Sequence, residues 1–138
     1  MSYPTSDALA VALPQSVAPL SEENRAELAG FLVTVANSTL KVKILRLFLS
    51  DSGLCLSSSA LADRVGDSVF DTRRAIQQLA DSNALNYCPH FAFTDLCHLS
   101  LPRLPQPVQR QLRLLIAALR LQPQWVWDYL ASEEEGEE

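Results

Sequence analysis

Three stretches of the chain carry apolar residues at the three- and four-residue spacing that predicts helices. Residues 22–36 follow Ser21, an N-cap residue type, and carry a single apolar stripe. Residues 39–50 are apolar on most sides, which predicts a helix at the centre of the fold. Residues 106–121 repeat apolar positions at alternating steps of four and three residues, and Pro123 ends that pattern.

Two shorter helices and two strands are predicted between these stretches. A serine run caps the first short helix, which ends near Gly66, and Ser68 caps the second, which ends at Asn83. The strands "ALNY" and "HFAFTDL" follow and are predicted to join at Cys88-Pro89. With a short extended piece, "LCL", after the central helix, the order is helix, helix, strand, helix, helix, strand, strand and long helix.

The two ends of the chain differ from this middle part. Residues 1–20 contain three prolines and are predicted to form a flexible arm, whereas residues 21–121 form the predicted domain. Residues 122–138 contain the apolar patch "WVWDYL" and the acidic run "SEEEGEE", which is predicted to be a disordered tail. The aromatic patch is open to two interpretations, since it can pack on a partner or cover the chain's own core.

The net charge of −5 is distributed unevenly along the chain. Residues 1–39 carry −3 and residues 121–138 carry −6, whereas residues 40–120 hold ten basic and six acidic residues, a net +4. A basic central segment is the electrostatic minimum for a protein that binds phosphates. The overall acidity therefore does not exclude binding to nucleic acid.

The cysteines and the hydropathy of the chain indicate a compartment. Three cysteines at irregular spacing indicate reduced thiols rather than a disulfide framework. No apolar run reaches the roughly 18 residues of a membrane span, and no basic region precedes an apolar core at the N-terminus. We therefore expect a cytoplasmic protein that makes no contact with a membrane.

Three segments carry a resemblance to a known family: "STLKVKILRLFL" (38–49), "ALADRVG" (60–66) and "DTRRAIQQLADSNAL" (71–85). They are similar to the first conserved helix, the following helix and the recognition helix of ArsR-type transcriptional regulators, and residues 38–96 resemble a winged helix-turn-helix. The resemblance implies a mainly α fold, a winged helix-turn-helix with a short two-stranded hairpin and flanking N- and C-terminal helices. It also implies sequence-specific binding of duplex DNA by a small homodimeric transcriptional regulator.

The second of the two short helices is the predicted DNA-binding element. A tight turn at Gly66 lets it project with its polar side outward, so that it can enter a major groove about 12 Å wide. Arginine can bond guanine, glutamine can bond adenine, and hydroxyl groups can bond phosphate, although Ser68 is also the helix cap. The predicted DNA-binding residues are Ser68, Thr72, Arg73, Arg74, Gln77 and Gln78, with Arg74 near the edge of the outward set.

Two features depart from the family pattern. The hairpin segment "NYCPHFAF" is short and has no arginine or lysine, whereas many winged-helix proteins place a basic wing on DNA. Asp71 lies near the start of the predicted recognition helix, where it would repel phosphate, although it can accept a hydrogen bond from cytosine.

The seam of the long C-terminal helix has two interpretations. It can form a dimer interface with the first helix, which would place two recognition helices about one DNA turn apart. It can equally be part of the domain's own core. The residues assigned to the dimer interface are Leu28, Leu32, Val108, Leu112, Leu115 and Leu119.

Other functions remain as alternatives. A winged-helix protein-interaction module without DNA binding would suit the acidic tail, the uncharged wing and an exposed Trp125/Trp127 pair, with a protein partner bound through this aromatic and acidic C-terminus. An enzyme is not expected, because neither of the two histidines has an evident serine or cysteine partner with an acidic residue to orient it.

Thiol and imidazole groups near the hairpin permit a metal site or a redox switch. Thiolate and imidazole suit zinc, but the spacing is not a standard ligand pattern and adjacent strand residues point to opposite faces. The simpler interpretation is that the cysteines are small half-buried hydrophobes and the histidines lie on the surface, so no metal or other cofactor is expected. A redox-switched repressor would require oxidation of one of the two thiols to change DNA affinity. The residues concerned are Cys88, His90, Cys97 and His98.

Overall fold

The computed structural model describes residues 20–51, 53–91 and 94–136. This part of the chain is mainly helical, with six α-helices, one short 3-10 helix and a small three-stranded antiparallel sheet. The elements in chain order are α1 (Glu22–Thr34), α2 (Thr39–Ser50), β1 (Cys55–Leu56), α3 (Ser58–Val65), α4 (Val69–Asp81), β2 (Asn86–Phe91), β3 (Thr94–His98), the 3-10 helix (Leu101–Arg103), α5 (Gln106–Leu121) and α6 (Pro123–Gly136).

Each of the first four helices begins after a capping serine, and α3 and α4 are followed by a residue in the left-handed conformation. In each helix a serine hydroxyl accepts a hydrogen bond from the backbone N–H three residues ahead, which satisfies one of the unpaired donors of the first turn. Gly66 after α3 and Asn83 after α4 have φ values of 77° and 63°, in the left-handed region that ends helices. The four capping residues are Ser21, Ser38, Ser57 and Ser68.

The sheet differs from the predicted two-stranded hairpin. Its strand order is β1-β3-β2, because the short extended piece β1 pairs with β3 as a third strand. The predicted joint at Cys88-Pro89 is wrong, since both residues lie inside β2, which runs on to Phe91. A proline cannot donate to a strand ladder, but β2 is an edge strand and its pairing is irregular between Cys88 and Phe91, so Pro89 is tolerated there.

The predicted dimer interface is part of the core. Leu28, Leu32, Leu112 and Leu115 are fully buried within the chain, where α1 packs against α5. Val108 and Leu119 are half-buried against the same core. The assignment of the four buried leucines to contact with a second copy is therefore wrong, because the apolar stripes of the two helices cover each other. For Val108 and Leu119 it stays a prediction.

The C-terminal segment is also more ordered than its composition predicts. Pro123 begins α6, which runs to Gly136, so the acidic run is helical over residues 132–136 rather than disordered. Val126 and Leu130, one helical turn apart, are buried where α6 packs on α1, α2 and α5. Trp125 and Trp127 are half-buried against that core rather than exposed, and the predicted aromatic docking patch is therefore a cover over the chain's own core.

The predictions on the N-terminal arm and on the membrane can be compared with only part of the chain. Residues 1–19 of the predicted N-terminal arm lie outside the described residues. Within the described part, no helix on its own is long and apolar enough to cross a membrane. The pair α1 and α2 passes such a test only when taken together across a bend of 116°.

Candidate nucleic-acid interface

The face of α4 that points away from the core is exposed along its length. The turn after α3, with Gly66 in the left-handed conformation, separates α4 from α3 by three residues. Ala75, Ile76 and Leu79 of α4 are buried in the core. At 100° per residue, the line opposite this buried side passes through four exposed residues at steps of four, three and four. They are Phe70, Arg74, Gln77 and Asp81.

Five of the six predicted DNA-binding residues are exposed, and one is not. Thr72 is completely buried, because it lies four residues before Ile76 and seven before Leu79 on the core side of the helix. Its assignment to the outward set is therefore wrong. Among the described residues its hydroxyl has no hydrogen-bond partner. The exposed five are Ser68, Arg73, Arg74, Gln77 and Gln78.

The two arginines of α4 have different surroundings. Arg73 donates from Nε and Nη2 to Oγ of Ser58, at 3.3 and 3.2 Å, and its Nε lies 3.9 Å from Oδ2 of Asp95. Its side chain is still 57% exposed. Arg73 thus connects α4 to the start of α3 and to β3, and its charge is partly neutralised there.

Asp95 is the centre of this connection. The carboxylate is buried and accepts a hydrogen bond from the Ser58 backbone N–H at 3.0 Å and one from the Tyr87 hydroxyl at 2.8 Å. Burial alone would raise the pKa of Asp95, but these two hydrogen bonds and the nearby Arg73 guanidinium hold that pKa below its usual value. Burial and the bond to Asp95 raise the pKa of Tyr87 to about 12.

Sequence reasoning missed this cluster, although it left a signal. Asp95 stands in the apolar strand segment "TDLCHL", and a carboxylate on the inner face of a strand requires donors. The donors come from α3 and β2, which are distant in the chain, so their identity could not be predicted from spacing. The cluster fixes the sheet to both helices of the α3–α4 pair.

Arg74 has no carboxylate within ion-pair distance among the described residues, although Asp67 and Asp71 line the same groove between α2 and α4. Burial, and then the nearby charge of Arg74, lower the pKa of Lys41, whose Nζ donates to Oδ1 of Asn37 at 2.8 Å. Arg74 is thus an available cation at the centre of the exposed face.

The remaining polar groups of α4 moderate that charge. Gln77 donates to Oδ1 of Asp81 at 3.0 Å, and the Ser68 hydroxyl accepts from the Asp71 backbone N–H at 3.0 Å. Residues 67–81 contain three aspartates and two arginines, a net charge of −1. The exposed face of α4 is therefore polar but not basic.

A basic groove lies between α2 and α3. Among the described residues, three cationic side chains and no carboxylate line it, and its volume is about 490 Å³. None of the three cations forms an ion pair within the described part of the chain. Charge counting predicted a basic middle segment but did not bring these residues together, although Lys43 and Arg46 share one side of α2. The groove is lined by Lys43, Arg46, Leu47, Ser50, Arg64 and Val65.

The start of α4 carries an exposed aromatic residue that sequence reasoning missed. The Phe70 side chain is 73% exposed and that of Val69 is 37% exposed. No role was assigned to Phe70 from the sequence, although its position four residues before Arg74 places it on the same outward line of the helix.

The thiol and imidazole groups of the sheet do not assemble. Cys97 pairs across the sheet with Tyr87 and Cys88 with Leu96, which places the two thiols on opposite faces. Over residues 20–51, 53–91 and 94–136, no three histidine, cysteine or acidic side chains are close enough to hold a metal ion together. Burial raises the pKa of the Cys97 thiol to about 12, so a redox switch would depend on the exposed Cys88.

The described residues thus form two separate polar surfaces. One is the exposed face of α4, with the Arg74 guanidinium, the Gln77 and Gln78 amides and the Phe70 ring, and the other is the groove between α2 and α3 that three cations line. Comparison of the chain with known proteins gives no match to a family model, to a curated protein or to a solved structure.

Proposed function

We propose that this chain is a winged helix-turn-helix protein that binds duplex DNA and regulates transcription, with α4 as the helix that enters the major groove. Helices α2, α3 and α4 would form the trihelical unit, and β2 and β3 would form the wing. The order of elements and the tight turn before α4 support this assignment.

The observation that carries the proposal is the set of unpaired cations on this unit. Arg74 on α4, Lys43 and Arg46 on α2 and Arg64 on α3 have no ion-pair partner among the described residues. Neutralising phosphates with such side chains releases counterions, which supplies most of the affinity of non-specific DNA binding. The three cations of the groove would contact the backbone, and the face of α4 would contact bases.

The residues of α4 take separate roles in this proposal. Arg74 would bond guanine or phosphate, and the Gln77 and Gln78 amides would bond adenine edges. Arg73 would act as a positioning residue, because its guanidinium already bonds Ser58 and lies beside Asp95. The exposed Ser68 and the backbone N–H groups at the start of α4 would face a phosphate.

The experiment measures binding of the full chain to a random-sequence duplex pool of about 30 base pairs, roughly three helical turns, by fluorescence anisotropy at several salt concentrations. Affinity should fall steeply with salt. Replacing the three groove cations by glutamine should lower the slope of log affinity against log salt by about 2.7, since each phosphate contact contributes roughly 0.9. Arg74→Ala should weaken binding to a selected sequence by about 1–3 kcal/mol.

Arg120→Gln and Arg120→Ala are the matched controls, because Arg120 is an exposed cation on α5 with no ion pair within the described part of the chain. They should leave the affinity and the salt slope unchanged. Absence of salt-dependent binding to any duplex, or equal effects of the control and the groove variants, would refute the proposal.

A protein-interaction module is the second candidate, and the net charge of −1 on residues 67–81 favours it. Carboxylates of Asp71 and Asp81 near the exposed face oppose phosphates but not a protein surface. This candidate predicts no binding to duplex DNA in the same titration, and a stable complex with a protein partner in which the same α4 variants weaken the complex.

The number of chains on a duplex is a separate question. Four of the residues assigned to a dimer interface are buried within the chain, so a homodimer would have to form through other surfaces. If one domain makes the DNA contact, sedimentation of the complex on a duplex that contains a single selected site should give one chain per duplex. Two chains per duplex would support a homodimer formed through other surfaces.

A further inference from the structure

Phe70 occupies a position that neither the core nor the helix cap explains. It is the second residue of α4, its side chain is 73% exposed, and Ser68 already supplies the cap. Among the described residues the only other large apolar side chains that are exposed are Val69, beside it, and Val33 on α1. An aromatic ring in water forgoes the stabilisation that burial would give it, so a contact with a ligand would account for its position.

The ring shares its line on the helix with the proposed base-contacting residues. Phe70 lies four residues before Arg74 and seven before Gln77, which places the three side chains one above another on the outward face. A ligand that contacts Arg74 and Gln77 therefore also meets the ring of Phe70. That ligand must combine polar edges with an apolar group at one end of the contact.

The major groove of DNA offers this combination at thymine. Its floor presents hydrogen-bond donors and acceptors, and its apolar feature is the C5-methyl group of thymine, with which phenylalanine can make contact. We propose that Phe70 is a specificity-determining residue that packs on a thymine C5-methyl group, next to the base pairs contacted by Arg74 and Gln77. This inference rests on the proposed DNA binding.

The surroundings of the ring favour DNA over a protein partner. Protein interfaces have a central patch from which charged residues are depleted, and each partner buries about 800 Å². The apolar patch here consists of Val69 and Phe70, with charged side chains before and after it in the chain. A groove floor with a methyl group between polar edges matches such a small apolar site better. The flanking charges are Asp67, Asp71, Arg73 and Arg74.

The test removes the methyl group and the ring separately. A duplex is first selected with the wild-type chain from a random pool and is then prepared with either thymine or uracil, which differ only in the C5-methyl group. The wild-type chain should bind the thymine form about fourfold more tightly, the effect of one buried carbon group. Phe70→Ala should bind both forms equally and should bind the thymine form about as weakly as the wild-type chain binds uracil, or more weakly.

Gln78→Ala is the matched control on the same helix, and it should keep the fourfold preference for thymine. Because both side chains are exposed, thermal unfolding of both variants should follow the wild-type curve. Equal wild-type affinity for the two duplexes, or an undiminished preference in Phe70→Ala, overturns the inference and leaves DNA binding intact. Failure of the wild-type chain to select any duplex overturns both, and weaker binding of Phe70→Ala to a protein partner would then assign the ring to protein docking.

Discussion

The exposed face of α4 and the apolar seam between α1 and α5 were both predicted to bind a partner, one DNA and the other a second copy of the chain. In the structure the two regions differ completely. Four leucines of the seam are fully buried within the chain, whereas the outward residues of α4 are exposed to solvent. Both predictions came from the same kind of pattern, a stripe at helical spacing.

The difference shows what a stripe can establish. An apolar stripe must be covered, and the nearest cover is another apolar stripe of the same chain, as α1 and α5 show. Polar side chains are stable in contact with water, so a polar stripe need not be covered and its side chains can bind a ligand. Periodicity therefore identifies the side of a helix that is buried, and burial in the folded chain decides whether a partner is needed.

The largest expected effect concerns the seam between α1 and α5. Leu115→Ala should lower the free energy of unfolding by about 2–5 kcal/mol, because it leaves a cavity in the core. Urea unfolding measures this loss, and it is carried out at two protein concentrations tenfold apart. If Leu115 belongs to the core of one chain, the midpoint is the same at both concentrations.

The half-buried Val108 supplies the control for that experiment. Val108→Ala removes less buried area at the edge of the same seam and should cost less than Leu115→Ala. A midpoint that rises with protein concentration would show that the seam contacts a second copy of the chain.

A smaller effect concerns the cluster that holds α4 in place. Asp95→Ala removes the acceptor for the Ser58 N–H and the Tyr87 hydroxyl, and it should cost about 1–3 kcal/mol of the free energy of unfolding. The matched control is Asp81→Ala, an exposed aspartate whose one side-chain bond is to Gln77, which should change stability by less than about 0.5 kcal/mol. Equal losses in the two variants would show that the buried carboxylate does not anchor the sheet.

The sequence predicted the fold wherever the signal was local. The serine caps, the left-handed Asn83 and the bounds of α2 and α5 follow from side chains within one turn of the helix end. The third strand and the position of Pro89 inside β2 could not be predicted in this way. The third strand depends on the pairing of β1 with β3, which are distant in the chain, and the place of Pro89 depends on the irregular pairing of β2 with β3.

The candidate site was predicted in outline and missed in its details. Exposure of Arg74, Gln77 and Gln78 follows from helical periodicity alone. The bond from Arg73 to Ser58 and the proximity of Asp95 depend on the packing of α4 against α3 and the sheet. The outward position of Phe70 follows from the same periodicity, but an aromatic side chain next to Val69 gives no local signal that it stays uncovered in the fold.

The smallest expected effect tests the boundary between the two sides of α4. Thr72 lies on the buried side, and its hydroxyl finds no acceptor or donor within the described part of the chain. Thr72→Val replaces that hydroxyl by a methyl group of similar shape, so it should raise the free energy of unfolding by about 1 kcal/mol, at the lower end of the cost of an unpaired buried group. Its affinity for duplex DNA should equal that of the wild-type chain, because the side chain faces the core.

The control is Thr72→Ser, which keeps the hydroxyl, removes a buried methyl group and should be destabilising. If Thr72→Val instead weakens DNA binding without changing stability, then Thr72 reaches the ligand, and the boundary between the covered and the open side of α4 must be moved by one residue.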